Sequence, residues 1–380
     1  MIADILIEPL LGGFFHDDQA ALRWNSKTPL TPGYDAVRVP ARGVGIGLVL
    51  DGGQVAWGDA VSVQYAGAGG RDPILREDML AGWDVRGLDV RSWVQACETA
   101  CEGVAHAGLR YGISQALLAA AAIERGCTMA EVAADELGVE LVAEPVPIFA
   151  QSGQMRHDAV TRMVAKRVDV LPHGLFSTPE AFAGMLDFAR WVRDRVAEVP
   201  DYEPVLHFDL YGQAGLHHDD VAAFLLQIEQ ACAPYRVRVE SPVDFGSRQA
   251  QIEGGAALRR AIAERGGTIG IVADEWCNTL EDIEAFAAAG AYDMIQIKTP
   301  DVGSLVDSAR AVLACKRHGV GAYLGGSCTE TEVSARACVH VAVATQPDMQ
   351  LAKPGMGVDE GIMLAANEQR RLLALLRRRR

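Results

Sequence analysis

Four polar residues each close a short apolar run. Asp209 ends LHFD, Glu240 ends VRVE, Asp274 ends GIVAD and Lys298 ends MIQIK. Three carboxylates brought together without cations repel one another and hold their protons more tightly. A hard divalent cation removes that penalty. Oxygen-only ligation with open positions suits Mg²⁺ or Mn²⁺ rather than zinc. A lysine facing such a site gives up its proton near neutral pH, because burial and the metal's charge both oppose the ammonium form. Once neutral, it can take a proton from the carbon α to a metal-bound carboxylate, and the metal stabilises the enediolate that forms. The chemistry is metal-assisted proton abstraction, and the spacing leaves the substrate open.

These residues converge only if the intervening chain repeats one structural unit. From about Leu141, short apolar runs alternate with helical stretches. Strands are expected at Pro145–Ala150, Val168–Leu171, Val205–Leu210, Arg236–Glu240, Thr268–Ala273, Met294–Lys298, Gly321–Leu324 and Met349–Ala352. Helices fall between them, among them Pro179–Val196, Asp220–Ala231, Gln249–Glu264, Leu280–Ala289 and Ser304–Arg317. Eight such units make a (β/α)8 barrel of the TIM type, whose strand C-termini share one mouth. A doubly wound sheet is the alternative, but no GxGxxG opens a helix after a strand. A single carboxylate at a strand end is more often a helix N-cap. Three at successive strand ends, followed by a lysine, favour a shared site.

Two earlier residues belong to the same face. Gln151 lies just past the first barrel strand, and His173 just past the second. Strands two and six face each other across an eight-stranded barrel, so His173 can oppose Lys298. A base on each face of a planar enediolate can serve its own stereochemical side. The Gly325-Gly326-Ser327-Cys328-Thr329 stretch after strand seven reads as an anion loop, since glycines let backbone N–H groups approach a ligand. Lys353-Pro-Gly-Met-Gly after strand eight reads as a similar mouth loop. His217-His218-Asp219-Asp220 has the composition of a metal cluster but sits before a helix, where Asp219 is a good N-cap.

The rest of the chain narrows the setting. In residues 1–140, β-like runs at 37–41, 44–50 and 55–63 precede helical periods at Ser92–Ala105, Ile113–Arg125 and Met129–Leu137, an α+β pattern. A glycine-rich loop spans Gly67–Pro73. The domains are expected at 1–140, capping, and 141–380, barrel with a C-terminal helix. The 380 residues carry a net charge of −15, which argues against a nucleic-acid partner. No apolar run approaches the roughly 18–20 residues a membrane span needs, and the N-terminus lacks a signal-peptide pattern. The eight cysteines are scattered, with no zinc-type pairing, and Cys97 and Cys101 read as core thiols. A reducing cytoplasm fits.

HFDLYG, VESP, VADEWCNT, QIKTPD, GAYLGGSCTET and LAKPGMGVDEG together resemble methylaspartate ammonia-lyase, a family of the enolase superfamily. QSG, DVLPH and the GGRDP loop near Gly69 extend the resemblance over most of the chain. It implies an N-terminal α+β capping domain on a C-terminal barrel. It implies Mg²⁺ on Asp209, Glu240 and Asp274, with K⁺ as a further cation. Lys298 falls on the base for the (2S,3S) substrate and His173 on the second catalytic residue. Gln151, Gln296, Ser327 and Cys328 fall on contacts to an amino dicarboxylate substrate. The implied reaction is reversible elimination of ammonia from L-threo-3-methylaspartate to give mesaconate, by a cytoplasmic homodimer. The family usually has threonine where Ser327 stands, so the hydroxyl is kept and a methyl is lost. Another superfamily reaction, by a dehydratase, racemase or cycloisomerase, commonly needs Lys-x-Lys on strand two, which carries His173 here. A non-catalytic binding barrel would have lost some of the carboxylates or Lys298.

Overall fold

The computed structural model describes residues 1–18, 20–21, 24–31, 34–63, 75–153, 155–176 and 178–379. The Gly67–Pro73 loop with its GGRDP motif lies outside the described residues. Three antiparallel strands open the chain: β1 (Ile2–Asp17), β2 (Arg38–Leu50) and β3 (Val55–Ala60), in that order across the sheet. The β2–β3 register, Val49 opposite Val55 and Val44 opposite Ala60, follows from the turn at Asp51-Gly52-Gly53, where Gly53 takes a φ of 79°. One face of this sheet buries Ile46, Leu48 and Ala60 against the helix Ala107–Arg125. The approach is close enough that a Cβ on Gly58 would lie 2.1 Å from the Gly112 carbonyl oxygen.

Eight parallel strands follow and close on themselves: β4 (Ile148–Ala150), β5 (Val170–Leu175), β6 (Val205–Asp209), β7 (Val237–Glu240), β8 (Gly270–Ala273), β9 (Met294–Ile297), β10 (Gly321–Leu324) and β11 (Met349–Ala352). The (β/α)8 expectation is met, with an α+β unit at its N-terminal side. Strand order around the barrel follows the chain, so β5 and β9 stand four strands apart, on opposite walls. Phe149, Val170, Val205, Val272, Met294, Tyr323, Met349 and Leu351 fill its lower interior. At the strands' starts, aspartates satisfy backbone N–H groups: Asp169 accepts from Ile148, Asp293 from Ile271 and Asp348 from Ala322. That end is built for stability, and the opposite end is left for chemistry.

Several boundaries differ from the sequence reading. The 37–41 and 44–50 runs are one strand, β2, and β1 is an additional strand. The expected helix Pro179–Val196 is two, Pro179–Ala183 and Met185–Ala197, broken at Gly184. The expected helix Ser92–Ala105 is Trp93–Ala100, and the next begins at Ala107 behind His106, whose ring accepts the Gly108 N–H. Cys97 is buried and Cys101 half-buried, both free thiols. No described helix is long and apolar enough to cross a membrane.

The capping unit is pinned to the barrel by hydrogen bonds. Asp59 accepts from the Thr331 hydroxyl at 2.6 Å, Ser62 O from the Thr329 hydroxyl at 3.0 Å, and Thr329 O from the Gly13 N–H at 3.2 Å. All three fall on the chain just after β10, beside the mouth.

Candidate active site

Each candidate side chain sits where a strand delivers it. Asp209 is the last residue of β6 and pairs in register with Glu240, the last of β7. Asp274 follows β8, Lys298 follows β9, and His173 lies within β5 at a register shift. All five are buried, from 1 % exposed at Glu240 to 6 % at Lys298 and His173. They line one cavity of about 560 Å³ together with Gln151, Gln296, Ser327, Cys328 and Tyr211. Arg38, from the capping unit's β2, also lines it, so both parts of the chain build the chamber. Around the mouth the backbone is held in left-handed conformations at residues other than glycine: His173 at φ 67°, Tyr211 at 49°, Ser241 at 46° and Trp276 at 63°. Such residues cost roughly 1–3 kcal/mol each and persist where the surroundings over-determine them.

The hydrogen bonds sort the carboxylates. His173 Nε2 lies 3.1 Å from Asp209 Oδ2, and the Tyr211 N–H donates to Asp209 Oδ1 at 3.0 Å. Glu240 Oε2 is 2.8 Å from His207 Nε2, while the Gln296 side-chain amide donates to Glu240 Oε1. Lys298 Nζ donates to Asp274 Oδ2 at 2.8 Å. The Gln151 amide donates to the Tyr323 hydroxyl at 3.2 Å. Burial, with the nearby charges of Asp209 and Asp274, pushes the Glu240 carboxyl well above the usual carboxylate range. Burial also raises Asp209, opposed by the His173 contact. His207, 2.8 Å from Glu240 through Nε2, is driven the other way, well below the usual imidazole range, by burial.

Elevated, closely set, buried carboxylates are what a cation site presents before the cation is counted. Single donor atoms of His173, Asp209 and Glu240 all lie within 4.8 Å of one another. Asp274 stands beside them, engaged by Lys298. The donor chemistry therefore fits a hard divalent ion on carboxylate oxygens.

Ser327 is buried, its Oγ 2.6 Å from Thr329 Oγ1. Its backbone N–H donates to Glu330 Oε2 at 2.8 Å, so that amide is turned to the protein and not to the cavity. Lys353, expected at the mouth, is wholly buried against Glu330. Asp220, not Asp219, caps the following helix, accepting the Ala223 N–H, because Asp220 directly precedes its first turn. His217 and His218 stack on Phe182 and Phe224. Sequence reasoning passed over His207, Tyr323 and Glu330. For His207 a signal was present: it stands two residues before Asp209 on one strand, so both side chains point into the barrel.

The family model for the methylaspartate ammonia-lyase N-terminus matches residues 1–138, and that for its C-terminus matches residues 140–378. The chain belongs to the methylaspartate ammonia-lyase family. Methylaspartate ammonia-lyase 1 of Carboxydothermus hydrogenoformans is 43% identical over 99% of this chain and 97% of its own. The crystal structure of the Citrobacter amalonaticus methylaspartate ammonia-lyase containing (2S,3S)-3-methylaspartic acid superposes with a TM-score of 0.95, at 39% identity over 99% of each chain. The Mg complex of β-methylaspartase from Clostridium tetanomorphum does so with a TM-score of 0.92, at 39% identity over the whole of both chains. Like the methylaspartate ammonia-lyases it resembles, this chain is a lyase.

Proposed function

We propose that this chain reversibly eliminates ammonia from (2S,3S)-3-methylaspartate to give mesaconate. The observation that carries the reading is one buried chamber with Lys298 and His173 on opposite walls and three carboxylates between them. Asp209, Glu240 and Asp274 would hold Mg²⁺. Bound there, the ion would supply countercharge to the substrate's C4 carboxylate and to the negative charge that builds on it as C3 loses its proton.

The protein's own groups do the rest. Lys298 Nζ lies 2.8 Å from Asp274 Oδ2, and an opposite charge at such a distance stabilises an ammonium. When Asp274 shares its charge with a cation, that stabilisation weakens and the lysine can act as a neutral base. Lys298 Nζ then takes the C3 proton. The C–H electron pair becomes the C2–C3 double bond, and the C2–N bond breaks with its pair, releasing the substrate ammonium as NH₃. His173, from the other wall, serves the (2S,3R) epimer, whose C3 proton faces it. Gln151, Gln296, Ser327 and Cys328 orient the substrate's remaining polar groups. His207 and Gln296 hold Glu240 in place from beneath. Eight free thiols favour a reducing cytoplasm, and the family likeness favours a homodimer.

The test is stoichiometric turnover. With Mg²⁺, (2S,3S)-3-methylaspartate yields equal amounts of mesaconate, followed by absorbance, and ammonia. Chelation with EDTA abolishes this, and added Mg²⁺ restores it. No mesaconate in the presence of Mg²⁺, or full activity after EDTA, would sink the reading.

A further inference from the structure

We infer that Glu330 and Lys353 form a buried positioning pair that sets the Gly325–Cys328 loop, and that Tyr111 of the capping unit locks the pair. Their side chains are 0 % and 1 % exposed, and Lys353 Nζ lies 2.8 Å from Glu330 Oε2. Neither they nor Tyr111 lines the cavity, so none of the three can touch a substrate there. Each reaches the loop's backbone or the pair itself. Lys353 Nζ donates to Gly325 O at 2.7 Å, and Glu330 Oε2 accepts the Ser327 N–H at 2.8 Å. Glu330 Oε1 accepts from the Tyr111 hydroxyl, which in turn accepts from Thr299 Oγ1 at 3.3 Å. Thr299 directly follows Lys298. One network therefore joins the Gly325–Cys328 loop, the chain beside the proposed base and the helix Ala107–Arg125.

The packing is made for this pair. Gly326 has a φ of 155°, and a Cβ there would lie 2.0 Å from Glu330 Oε2 and 2.3 Å from Lys353 Nζ. Only a bare backbone lets the two charges reach the loop from below. A buried ion pair is weak as a source of stability against an apolar replacement, yet removing one member strands the other charge. A pair kept here is explained by what its hydrogen bonds orient.

The inference rests on the reading of Ser327 and Cys328 as substrate contacts, and its test has one arm that does not. Glu330→Gln and Lys353→Met each leave a buried charge unpaired and lower Tm. The double variant Glu330→Gln/Lys353→Met carries no buried charge and recovers Tm. A positioning pair predicts that the double variant still shows a raised KM for (2S,3S)-3-methylaspartate and a kcat/KM lower by about 10²-fold, the cost of a small misplacement. Its Mg²⁺ affinity by calorimetry stays within about twofold of wild type, far short of the roughly 10–100-fold loss typical when a metal site's support is removed. Amide hydrogen exchange at 325–329 quickens while β6 stays protected. Tyr111→Phe, which keeps the ring's packing, shifts KM and loop exchange the same way. If wild type does not turn over methylaspartate, the proposed function fails, and hydrogen exchange still decides the pair. Wild-type KM and loop protection in the double variant overturn the inference, as does a loss of Mg²⁺ affinity accompanying the raised KM and faster loop exchange.

Discussion

Lys298→Ala lowers kcat for (2S,3S)-3-methylaspartate by about 10²–10⁴-fold, the range a positioned general base contributes. The reason is geometric. Lys298 is 6 % exposed, follows β9 directly, and reaches the chamber beside Asp274. The alanine variant also strands Asp274, so a charge-preserving control separates proton transfer from folding. Lys298→Arg keeps a cation next to Asp274, but a guanidinium does not deprotonate in proteins. Lys298→Arg is therefore expected to fold and to be as slow as the alanine variant. Substantial turnover by the arginine variant would show that Lys298 acts through its charge and not as a base. Steady-state kinetics with saturating Mg²⁺ reads the difference.

Glu240→Gln removes a charge from the centre of the carboxylate group with almost no change of shape. His207 Nε2 lies 2.8 Å from one of its oxygens and Gln296 donates to the other, so a glutamine keeps hydrogen-bonding partners on both sides. Metal-supplied stabilisation of developing charge is worth several kcal/mol, so activity falls by about 10²–10⁴-fold, with weaker Mg²⁺ binding by calorimetry. Stability moves the other way in the metal-free protein. Glu240's folded pKa lies well above its unfolded value, so the folded state holds more protons. Stability then falls as pH rises from the ordinary glutamate range through the folded pKa. The metal-free wild type loses Tm across that window, Glu240→Gln flattens the loss, and Mg²⁺ offsets it in wild type alone. A Tm that rises with pH over the same window in metal-free wild type would contradict the assignment.

Much of the barrel was legible because eight short apolar runs alternate with helical stretches, and four of the runs close on Asp209, Glu240, Asp274 and Lys298. Parallel strands buried on both faces read as continuous apolar runs, and the glycines after the helices mark their ends. Gly290, for example, caps its helix at φ 56°. The capping unit was harder. β1 contains Pro9 and Gly12-Gly13, and its pairing with β2 shifts register twice, between Ile2 and Asp4 and between Leu11 and Phe15. Bulges break the period-two signal. Gly184, between two helical periods of the same phase, gave no reason to split them. The β4 run is shorter than its sequence suggests because Pro145 and Pro147 have no N–H to give a ladder.

At the site, residue type and strand-end position were enough to gather Asp209, Glu240, Asp274, Lys298 and His173 in one cavity. What they could not reveal is the layer behind them. Glu330 looks like one more polar residue in a loop, and Lys353 like a mouth lysine. They are buried against each other, and Glu330 is hydrogen-bonded to Tyr111, more than two hundred positions earlier, which no local pattern encodes. The direction of Ser327's N–H, toward Glu330, is likewise a tertiary fact.

The central claim is that two proton-transfer groups face one substrate from opposite walls. The most direct measurement is the ratio of turnover rates for the (2S,3S) and (2S,3R) epimers in wild type, Lys298→Ala and His173→Ala, with Mg²⁺ affinity measured for each protein. The account predicts that Lys298→Ala lowers the ratio, that His173→Ala raises it while costing some (2S,3S) rate, and that both variants still bind Mg²⁺. If His173→Ala slows both epimers by the same factor with Mg²⁺ binding intact, the two-base arrangement is wrong and Lys298 stands as the single base.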